Sequence, residues 1–489
     1  MSGVDEAARP GGPTPVWERA HVLVLGIGVS GFPAADALLR HGARVRAVDA
    51  GADERQQERA EILRVLGAEV RLGAVAQDPA VLEGVDLVVT SPGWRPDQPV
   101  LAAAAAAGIP VWGEVELAWR LRPAENAAPW LCLTGTNGKT TTVQMLAAML
   151  AADGQRAIAT GNVGFPLVDA VLADQPYDVL AVELSSYQLH WSHSLRPEAA
   201  AVLNLAPDHL DWHGGMDAYA RAKGKVYENA RIACVYNVAD ARTEQLVRDA
   251  EVEEGCRAIG FTLGVPAVSM LGVVDDVLVD RAFLPDRDRN AAELGSVRDV
   301  VPAAPHNVEN ALAAAALARA HGVRPGAVRD GLRGFRPDAH RIAEVATVDD
   351  VRWVDDSKAT NTHAAAASLR AYESVVWVAG GLAKGAEFDD LVAAARPRLR
   401  AVVLIGRDRA QIAQALARHA PDVPVIEVAA TETGAMDEVV RAAAELARAG
   451  DTVLLAPACA SMDMFRDYGA RGDAFADAVT RLVVQRSGA

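Results

Sequence analysis

Short apolar runs alternate with alanine-rich amphipathic stretches along most of the chain, a pattern typical of parallel α/β folds. The run His21–Leu25 ends in the glycine turn Gly26-Ile27-Gly28-Val29-Ser30-Gly31, and a helical pattern follows to about Arg40. This order of strand, glycine turn and helix predicts a Rossmann-like unit at the N-terminus. A second predicted strand, residues 44–48, ends in Asp49, where an acidic side chain can bind a ribose or a base edge.

Two more units follow the first. Residues 130–133 and 177–182 predict strands of a central unit, and residues 310–321 predict one of its helices. Between residues 251 and 301, short valine-rich runs favour antiparallel hairpins. From residue 352 onward strands again alternate with helices, which predicts a second Rossmann-like unit. We therefore predict three α/β domains, at residues 1–120 with a disordered first 20 residues, 121–337 and 338–489.

The composition narrows the classes of function. The 489 residues carry a net charge of −16, which argues against a broad nucleic-acid footprint or an anionic membrane surface as partner. Four widely spaced cysteines form no CxxC pair, so the chain has neither a disulfide framework nor a zinc knuckle in its pattern. We expect a cytoplasmic protein without a signal peptide or membrane segment, because no apolar stretch reaches the ~20 residues that span a bilayer.

The most informative motif lies at the start of the central unit. Thr134-Gly135-Thr136-Asn137-Gly138-Lys139-Thr140-Thr141 joins a predicted strand to a predicted helix. Loop amides and the helix dipole can cradle phosphate oxygens, Lys139 can reach the terminal phosphates, and the Thr140 hydroxyl can bind Mg²⁺. The motif departs from the strict GxxxxGK[ST] pattern because Leu133 replaces the first glycine. It still predicts nucleoside triphosphate binding and a P-loop ATPase-like central domain with a mostly parallel sheet.

Further polar residues follow later strands of the central unit. Glu183 ends an apolar run, where it could complete a Mg²⁺ site with Thr140 or could be a glutamate that stabilises a helix N-terminus. The segment Pro207-Asp208-His209-Leu210-Asp211-Trp212-His213 is dense in metal-capable side chains, although a solvated polar loop has the same composition. Lys223 and Lys225 follow on a predicted helix, where lysines are normally solvated.

Three loops of the C-terminal unit follow predicted strands. They read Asp355-Asp356-Ser357-Lys358-Ala359-Thr360-Asn361, Gly380-Gly381-Leu382-Ala383-Lys384-Gly385 and Pro457-Ala458-Cys459-Ala460-Ser461. Each taken singly is an ordinary strand-to-helix loop. Because the carboxyl ends of parallel strands share one sheet edge, the three together favour a site for a small dianion such as a dicarboxylic amino acid.

These motifs together resemble the Mur ligases, ATP-dependent amide-forming enzymes of peptidoglycan precursor synthesis. The resemblance covers nearly the whole chain after about residue 20. The shared elements are the loop at 134–141, Glu183-Leu184-Ser185-Ser186, Asp208-His209-Leu210-Asp211, His306-Asn307-Val308-Glu309-Asn310 and His340-Arg341. Residues 356–361 and 457–463 are similar to those of the family member that adds D-glutamate to UDP-N-acetylmuramoyl-L-alanine.

The resemblance implies one group of binding residues for each ligand. The uridine diphosphate of the precursor would contact Gly28, Val29, Ser30 and Asp49, with Asn162 and His209 beside the acyl tail. ATP would contact Gly135, Thr136, Asn137, Gly138, Lys139, Thr140, Thr141, Asn307, Asn310, Arg341 and Asp356. Two Mg²⁺ ions would be held by Thr140, Glu183, His209 and a carbamylated Lys223. D-glutamate would contact Lys358, Thr360, Lys384, Ser461 and Tyr468. Catalytic roles would fall to Lys139, His209 and Lys223.

Two segments depart from the family pattern. Leu382-Ala383 stand where an aspartate is expected beside Lys384. Pro302-Ala303-Ala304-Pro305 precede His306, where a glycine is usual.

The resemblance further implies a monomer that phosphorylates the alanyl carboxylate with ATP and lets the amine of D-glutamate displace the phosphate. Its partners would be the three small-molecule substrates. Three alternatives stay open: a folylpolyglutamate synthetase-like ligase with a folate acceptor, a nicotinamide-dependent oxidoreductase built on the first glycine turn, and an ATP-driven switch that hydrolyses ATP without an amino acid.

Overall fold

The computed structural model describes residues 17–123, 125–430 and 434–487. The predicted α/β class is confirmed, because these residues form three sheets that are mostly parallel and carry helices between their strands. The predicted disorder of residues 1–16 lies outside the described residues. It does not extend to residue 20, since Trp17–Arg19 form a turn of 3-10 helix and the Trp17 side chain is buried.

The N-terminal sheet has the strand order β3-β2-β1-β4-β5, and all neighbouring strands are parallel. Its strands are β1 His21–Leu25, β2 Arg44–Asp49, β3 Glu69–Leu72, β4 Leu87–Thr90 and β5 Val111–Gly113. Its helices are α1 Gly31–Arg40, α2 Glu54–Val65, α3 Pro99–Ala106 and α4 Glu114–Leu121. The crossovers place helix α1 directly after the glycine turn, as predicted for a Rossmann-like unit.

The central sheet has nine strands in the order β14-β13-β12-β11-β10-β9-β6-β8-β7. Its strands are β6 Trp130–Thr134, β7 Ala157–Gly161, β8 Val179–Glu183, β9 Ala199–Val202, β10 Ala233–Asn237, β11 Arg257–Phe261, β12 Met270–Val274, β13 Val277–Asp280 and β14 Ala292–Ser296. Its helices are α5 Lys139–Ala152, α6 Leu167–Val171, α7 Ser186–His190, α8 Leu210–His213, α9 Met216–Gly224, α10 Ala241–Asp249, α11 Pro305–Ala320 and α12 Pro325–Gly334.

Strand direction in this sheet changes only near its β14 edge. Strands β12, β13 and β14 pair antiparallel, so the hairpins predicted between residues 251 and 301 are confirmed there. The prediction is wrong for β11, which pairs parallel with both β10 and β12. A short valine-rich run indicates a strand but does not specify the direction of its neighbours.

The C-terminal sheet has the order β15-β16-β20-β17-β18-β19, and only the pair β15 and β16 is antiparallel. Its strands are β15 Ala343–Val348, β16 Val351–Asp355, β17 Val375–Gly380, β18 Leu399–Ile405, β19 Val425–Glu427 and β20 Thr452–Leu455. Its helices are α13 Thr362–Leu369, α14 Asp389–Ala395, α15 Arg409–His419, α16 Ala435–Leu446 and α17 Tyr468–Ser487.

The chain divides into two compact units. The first contains the described residues up to Val300 together with Glu309–Phe335, and the second contains Val301–Val308 and the described residues from Arg336 onward. Within the first unit one hydrophobic cluster packs both sheets, with Trp112 of β5 and Trp130 of β6 among its buried members. The domain boundaries expected at residues 120 and 337 stay a prediction. No helix in the described part of the chain is long and apolar enough to cross a membrane.

Candidate active site

The predicted phosphate loop connects β6 to α5. Gly138 immediately precedes the helix with a φ of 84°, and a Cβ at this position would lie 2.3 Å from Asn310 Oδ1. Glycine is therefore required both for the left-handed backbone and for the close approach of Asn310. Asn310, which the resemblance assigns to ATP, thus lies against the loop within the first unit.

The segment that follows β9, together with Tyr219 of α9, hydrogen-bonds this loop and holds it in place. Thr136 Oγ1 donates to Ala206 O over 3.1 Å, accepts from Ala206 N over 2.9 Å and lies 3.0 Å from the Tyr219 hydroxyl. The Asn137 backbone donates to Asn204 Oδ1 over 2.9 Å, and Asn204 Nδ2 donates back to Asn137 O over 3.0 Å. These bonds keep the loop amides in a fixed arrangement, as phosphate binding requires.

Lys139 is the first residue of α5 and folds over the loop. Its Nζ donates to Gly135 O over 3.0 Å and to Thr136 O over 2.9 Å. The following side chains, Thr140 and Thr141, are half-buried and buried respectively. The ammonium group therefore lies at the loop that would receive the phosphates, as the motif predicts.

Lys223 lies on α9 and is buried against the same loop. Its Nζ donates to Gly135 O over 2.8 Å and to Thr134 Oγ1 over 3.3 Å. Burial, followed by the nearby positive charge of Lys139, lowers the pKa of Lys223 well below its usual value. The solvated alternative is therefore wrong for Lys223. Lys225 is also partly buried, and its Nζ donates to His190 O over 3.1 Å.

Glu183 ends β8 as a buried carboxylate. Its Oε1 accepts from Asn162 Nδ2 over 2.9 Å, whereas its Oε2 is buried without a hydrogen-bond partner. The alternative of a glutamate at a helix N-terminus is wrong, because Ser185 caps α7 through a capping box with Gln188. A buried carboxylate oxygen that the protein leaves unsatisfied is suited to bind a cation.

His209 is the N-cap residue of α8, and its backbone lies in the left-handed region with a φ of 53°. Its Nε2 lies 3.4 Å from Asp208 Oδ2, and its ring centroid lies 4.9 Å from that of Tyr187. Burial lowers the pKa of His209; Asp208 opposes that shift, and Lys223 and Lys139 add to it. The structure thus brings His209 within electrostatic reach of both lysines. Across the described residues, no three His, Cys, Asp or Glu side chains are grouped as a metal site.

The N-terminal glycine turn lies in the same unit and has one open side. Asp49 accepts backbone bonds from Ile27 and Gly51, each over 2.8 Å, so both of its oxygens support the turn. A Cβ on Gly28 would meet no atom within 4 Å, and Val29 is 65% exposed. Gly28 and Val29 therefore leave open space on one side of the turn, whereas both oxygens of Asp49 stabilise the backbone of the turn.

In the second unit the Asp356 side chain is buried and bonded to neighbouring protein groups. It accepts from Ile342 N over 3.3 Å and from the Ser368 hydroxyl. Burial raises the pKa of Asp356 to about 7. Arg341 lies close enough to oppose this shift, and Asn307 is buried with its amide donating to Pro302 O over 3.2 Å.

The three C-terminal loops are bonded to one another. Leu382 and Ala460 exchange backbone hydrogen bonds of 2.8 and 3.0 Å. Buried Arg471 donates to Ser357 O over 2.8 Å and to Cys459 O over 3.1 Å. Sequence reasoning missed Arg471, because no local motif marks it and its bonds to Ser357 span 114 positions.

Side chains expected to bind the amino acid surround these loops. Lys358 Nζ lies 3.7 Å from the centre of the Tyr468 ring, and Ser461 is buried. Lys384 is exposed and has a φ of 52°, a strained conformation for a residue other than glycine. An aspartate does lie at this loop, but it is Asp408, whose carboxylate accepts from Ala383 N over 2.8 Å. Thr360 N bonds Lys358 O over 2.8 Å.

Comparison with known proteins decides the family. Residues 20–113, 133–318 and 340–459 match, in order, the Mur ligase MurD-like N-terminal domain, the Mur ligase middle domain and the Mur ligase glutamate ligase domain. The UDP-N-acetylmuramoylalanine–D-glutamate ligase of Streptomyces avermitilis is 66% identical over 95% of this chain and 99% of its own. The chain belongs to the Mur ligase family. The corresponding Mur ligase of Thermobifida fusca is 61% identical over 94% of this chain and 98% of its own.

A solved structure shares the Mur ligase fold. The pseudomurein peptide ligase type C of Methanothermus fervidus aligns with a TM-score of 0.58 and 17% identity, over 95% of this chain and 100% of its own. In the present protein, the first unit brings together Lys139, Lys223, Glu183 and His209 beside the phosphate loop. The second unit brings together Lys358, Tyr468 and the loop that ends at Ser461.

Proposed function

We propose that this Mur ligase joins D-glutamate to UDP-N-acetylmuramoyl-L-alanine, using ATP, in peptidoglycan precursor synthesis. The observation that carries the proposal is the 66% identity, over 95% of the chain, to a ligase named for that reaction. The match to a glutamate ligase domain over residues 340–459 supports the same amino acid. Sequence identity at this level, extending over all three sheets, disfavours two of the alternatives: the nicotinamide-dependent oxidoreductase and the switch that hydrolyses ATP without an amino acid.

The phosphate loop would carry out the activating step. A carboxylate is a poor electrophile, so the alanyl carboxylate attacks the terminal phosphorus of ATP, an acyl phosphate forms and ADP leaves. The Lys139 ammonium and the loop amides would stabilise the negative charge that accumulates on the transferred phosphoryl group. Thr136 and Asn137 support this role by fixing the loop to the β9 segment.

The donor set beside the loop fits Mg²⁺. The unsatisfied Glu183 Oε2 and the Thr140 hydroxyl are oxygen ligands of the kind that Mg²⁺ prefers. When bound, Mg²⁺ would neutralise phosphate charge as the two anions approach. His209 and a carbamylated Lys223 complete the proposed set. Lys223 suits this role because its lowered pKa increases the share of neutral amine, the form that adds CO₂ to give an anionic carbamate.

The C-terminal loops would bind D-glutamate and present its amine. The amine attacks the acyl carbon, the amide bond forms, inorganic phosphate leaves and the amine loses a proton. Lys358 and Lys384 offer positive charge to the two carboxylates of the amino acid, and Ser461, Thr360 and Tyr468 offer hydroxyl groups. The proposed ATP contacts also include Asn307, Asn310, Arg341 and Asp356. The buried Asp356 would act by supporting the backbone at Ile342.

The glycine turn would bind the uridine diphosphate of the precursor. Gly28 and Val29 leave open space beside the N-terminus of α1, where anions are favoured. Ser30 and Asp49 support the turn, and Asn162 and His209 would lie beside the acyl tail. We further propose a cytoplasmic protein, which the four free cysteines favour, and a monomer, as the resemblance to the family implies.

The test is phosphate release from ATP and Mg²⁺ with UDP-N-acetylmuramoyl-L-alanine, followed by mass analysis of the UDP-linked product. D-glutamate is compared with L-glutamate, L-alanine, L-lysine and diaminopimelate. We expect release, and a product heavier by one glutamyl residue, with D-glutamate alone. Dependence on another amino acid, on a folate acceptor, or on no amino acid would contradict the proposal.

A further inference from the structure

A buried glutamate connects the glycine turn to the central sheet. Glu114 is the first residue of α4 and is 2% exposed. Its Oε1 accepts from Leu167 N over 2.9 Å and from Val168 N over 3.4 Å, the first two amides of α6. The Ser30 hydroxyl lies close enough to lower the pKa of this carboxyl group, and helix α1, which follows the glycine turn, packs against both α4 and α6. One carboxyl group therefore contacts both segments expected to bind the nucleotide sugar.

The Ser30 contact is unusual for a residue in its position. Ser30 is the N-cap of α1, where a serine hydroxyl normally accepts from an amide of its own helix. Here it makes no capping hydrogen bond, and its side chain faces Glu114 instead. The hydroxyl thus fixes the glycine turn relative to another element instead of stabilising α1.

The α6 side of the Glu114 contact leads to Glu183, the carboxylate proposed to bind the metal. Asn162 donates from its backbone to Glu183 O and from its side chain to Glu183 Oε1, each over 2.9 Å. The loop that follows closes on itself, since Thr160 Oγ1 donates to Phe165 O over 2.8 Å. It then enters α6 at Leu167, where Glu114 holds it. A continuous path of contacts and backbone therefore runs from Ser30 through Glu114 to Glu183.

Placing a carboxyl group here has an energetic cost. Burial raises the pKa of Glu114 to about 7, and the bonds from Val168, Leu167 and Ser30 only partly oppose the shift. An apolar side chain would fill the space without that cost, but it would leave the two α6 amides and the Ser30 hydroxyl without this partner.

We propose that Glu114 is a positioning residue that holds Ser30 of the glycine turn and the 162–168 segment at one fixed spacing for the nucleotide sugar. The inference rests on the proposed function, because the ligand of the turn belongs to that proposal. Glu114 touches no reacting atom in this account. It acts through Ser30 on the diphosphate and through the 162–168 segment on Asn162.

The chain offers a matched control on the same helix. Glu116 is fully buried, pairs with Arg120 and accepts from His193 N over 2.8 Å and Ser194 N over 2.9 Å. It joins α4 to the central sheet as Glu114 does, but its bonds do not reach the glycine turn. Loss of Glu116 therefore measures the structural effect of removing a buried carboxylate from α4.

The experiment measures binding of UDP-N-acetylmuramoyl-L-alanine to the full chain by calorimetry, with melting temperature and the KM for ATP followed in parallel. We expect E114A to weaken binding about tenfold, as the loss of hydrogen bonds worth ~1.4 kcal/mol would, with the KM for ATP within about twofold. E114Q, which keeps an acceptor oxygen, should restore affinity to within about threefold. E116A should lower the melting temperature and leave affinity within about twofold.

Wild-type affinity in E114A, or an equal loss of affinity in E116A, would overturn the inference and leave the proposed function intact. If E114A does not fold, E114D takes its place, because its shorter side chain keeps the charge but cannot reach both partners; unchanged affinity in E114D would overturn the inference. A wild-type chain that does not bind the nucleotide sugar would contradict the proposed function, and this inference with it.

Discussion

Lys223 Nζ donates to the carbonyl oxygen of Gly135 over 2.8 Å, so a buried lysine contacts the phosphate loop directly. A second lysine, Lys139, bonds the same carbonyl oxygen over 3.0 Å. Two amines that share one acceptor repel each other when both are charged, and Lys223 is the more buried of the two. Both effects lower the pKa of Lys223 and so raise the share of its neutral form, the form required for carbamylation.

Replacing Lys223 with methionine should separate stability from activity. Met fills a similar volume without an amine, so the free energy of unfolding should be unchanged or higher. Activity should fall about 100-fold or more, because the proposed anionic ligand is lost. Phosphate release and urea denaturation test this, with K225M as the control that keeps activity within about threefold. NMR with labelled bicarbonate should show a carbamate signal in the wild type only. Full activity in K223M would contradict the role.

Two glycines of the first turn should respond differently to alanine. A Cβ on Gly31 would lie 1.8 Å from Gly26 O, so G31A should destabilise the fold by about 2 kcal/mol or more through forced backbone movement. A Cβ on Gly28 meets nothing within 4 Å, so G28A should fold with wild-type stability yet bind the nucleotide sugar more weakly. Melting temperature and calorimetry distinguish the two. Unchanged binding in G28A would mean that the ligand does not approach this glycine.

Removing the Thr136 hydroxyl should loosen the phosphate loop. T136V leaves Ala206 N without its acceptor, which should cost about 1–3 kcal/mol of stability and raise the KM for ATP. T142V is the matched control: Thr142 Oγ1 donates to Gly138 O, and that oxygen keeps the Thr142 backbone amide as donor. An equal effect of both substitutions on the KM for ATP would refute the specific role of Thr136.

Stability should depend on pH through Asp356. Its folded-state pKa of about 7 lies above the ordinary carboxyl value near 4. The stability that this group contributes is thus fully present below about pH 4 and lost as the pH rises through about 7. D356N carries no such charge, so between pH 5 and pH 8 the wild type should lose about 2 kcal/mol more than D356N. Parallel pH profiles in denaturant titrations would show that Asp356 is ionised throughout.

Strands that are continuous apolar runs can be predicted from the sequence. Short edge strands, and the direction in which strands pair, cannot. β1 was predicted with its observed bounds because a run of buried residues ends at a glycine turn. Edge strand β3, Glu69–Leu72, was not predicted, since charged residues alternate with apolar ones over only four positions. β11 was predicted as a strand but with the wrong partners, because pairing direction depends on the chain path and not on local periodicity.

The candidate site shows the same limit. The phosphate loop is a local motif, so Gly138 and Lys139 could be found from spacing alone. A lysine on a predicted helix is normally solvated, and only the packing of Lys223 against Gly135 reveals its burial. Glu114 and Arg471 carry no local motif, since their partners lie 53 and 114 positions away.

The central claim is ligation of D-glutamate through an acyl phosphate. The most direct test supplies UDP-N-acetylmuramoyl-L-alanine whose alanyl carboxylate is labelled with heavy oxygen, together with ATP, Mg²⁺ and D-glutamate. The account predicts a UDP-linked product heavier by one glutamyl residue and inorganic phosphate that carries one labelled oxygen from the carboxylate. Unlabelled phosphate would contradict the acyl phosphate, and a product without the glutamyl residue would contradict the ligation itself.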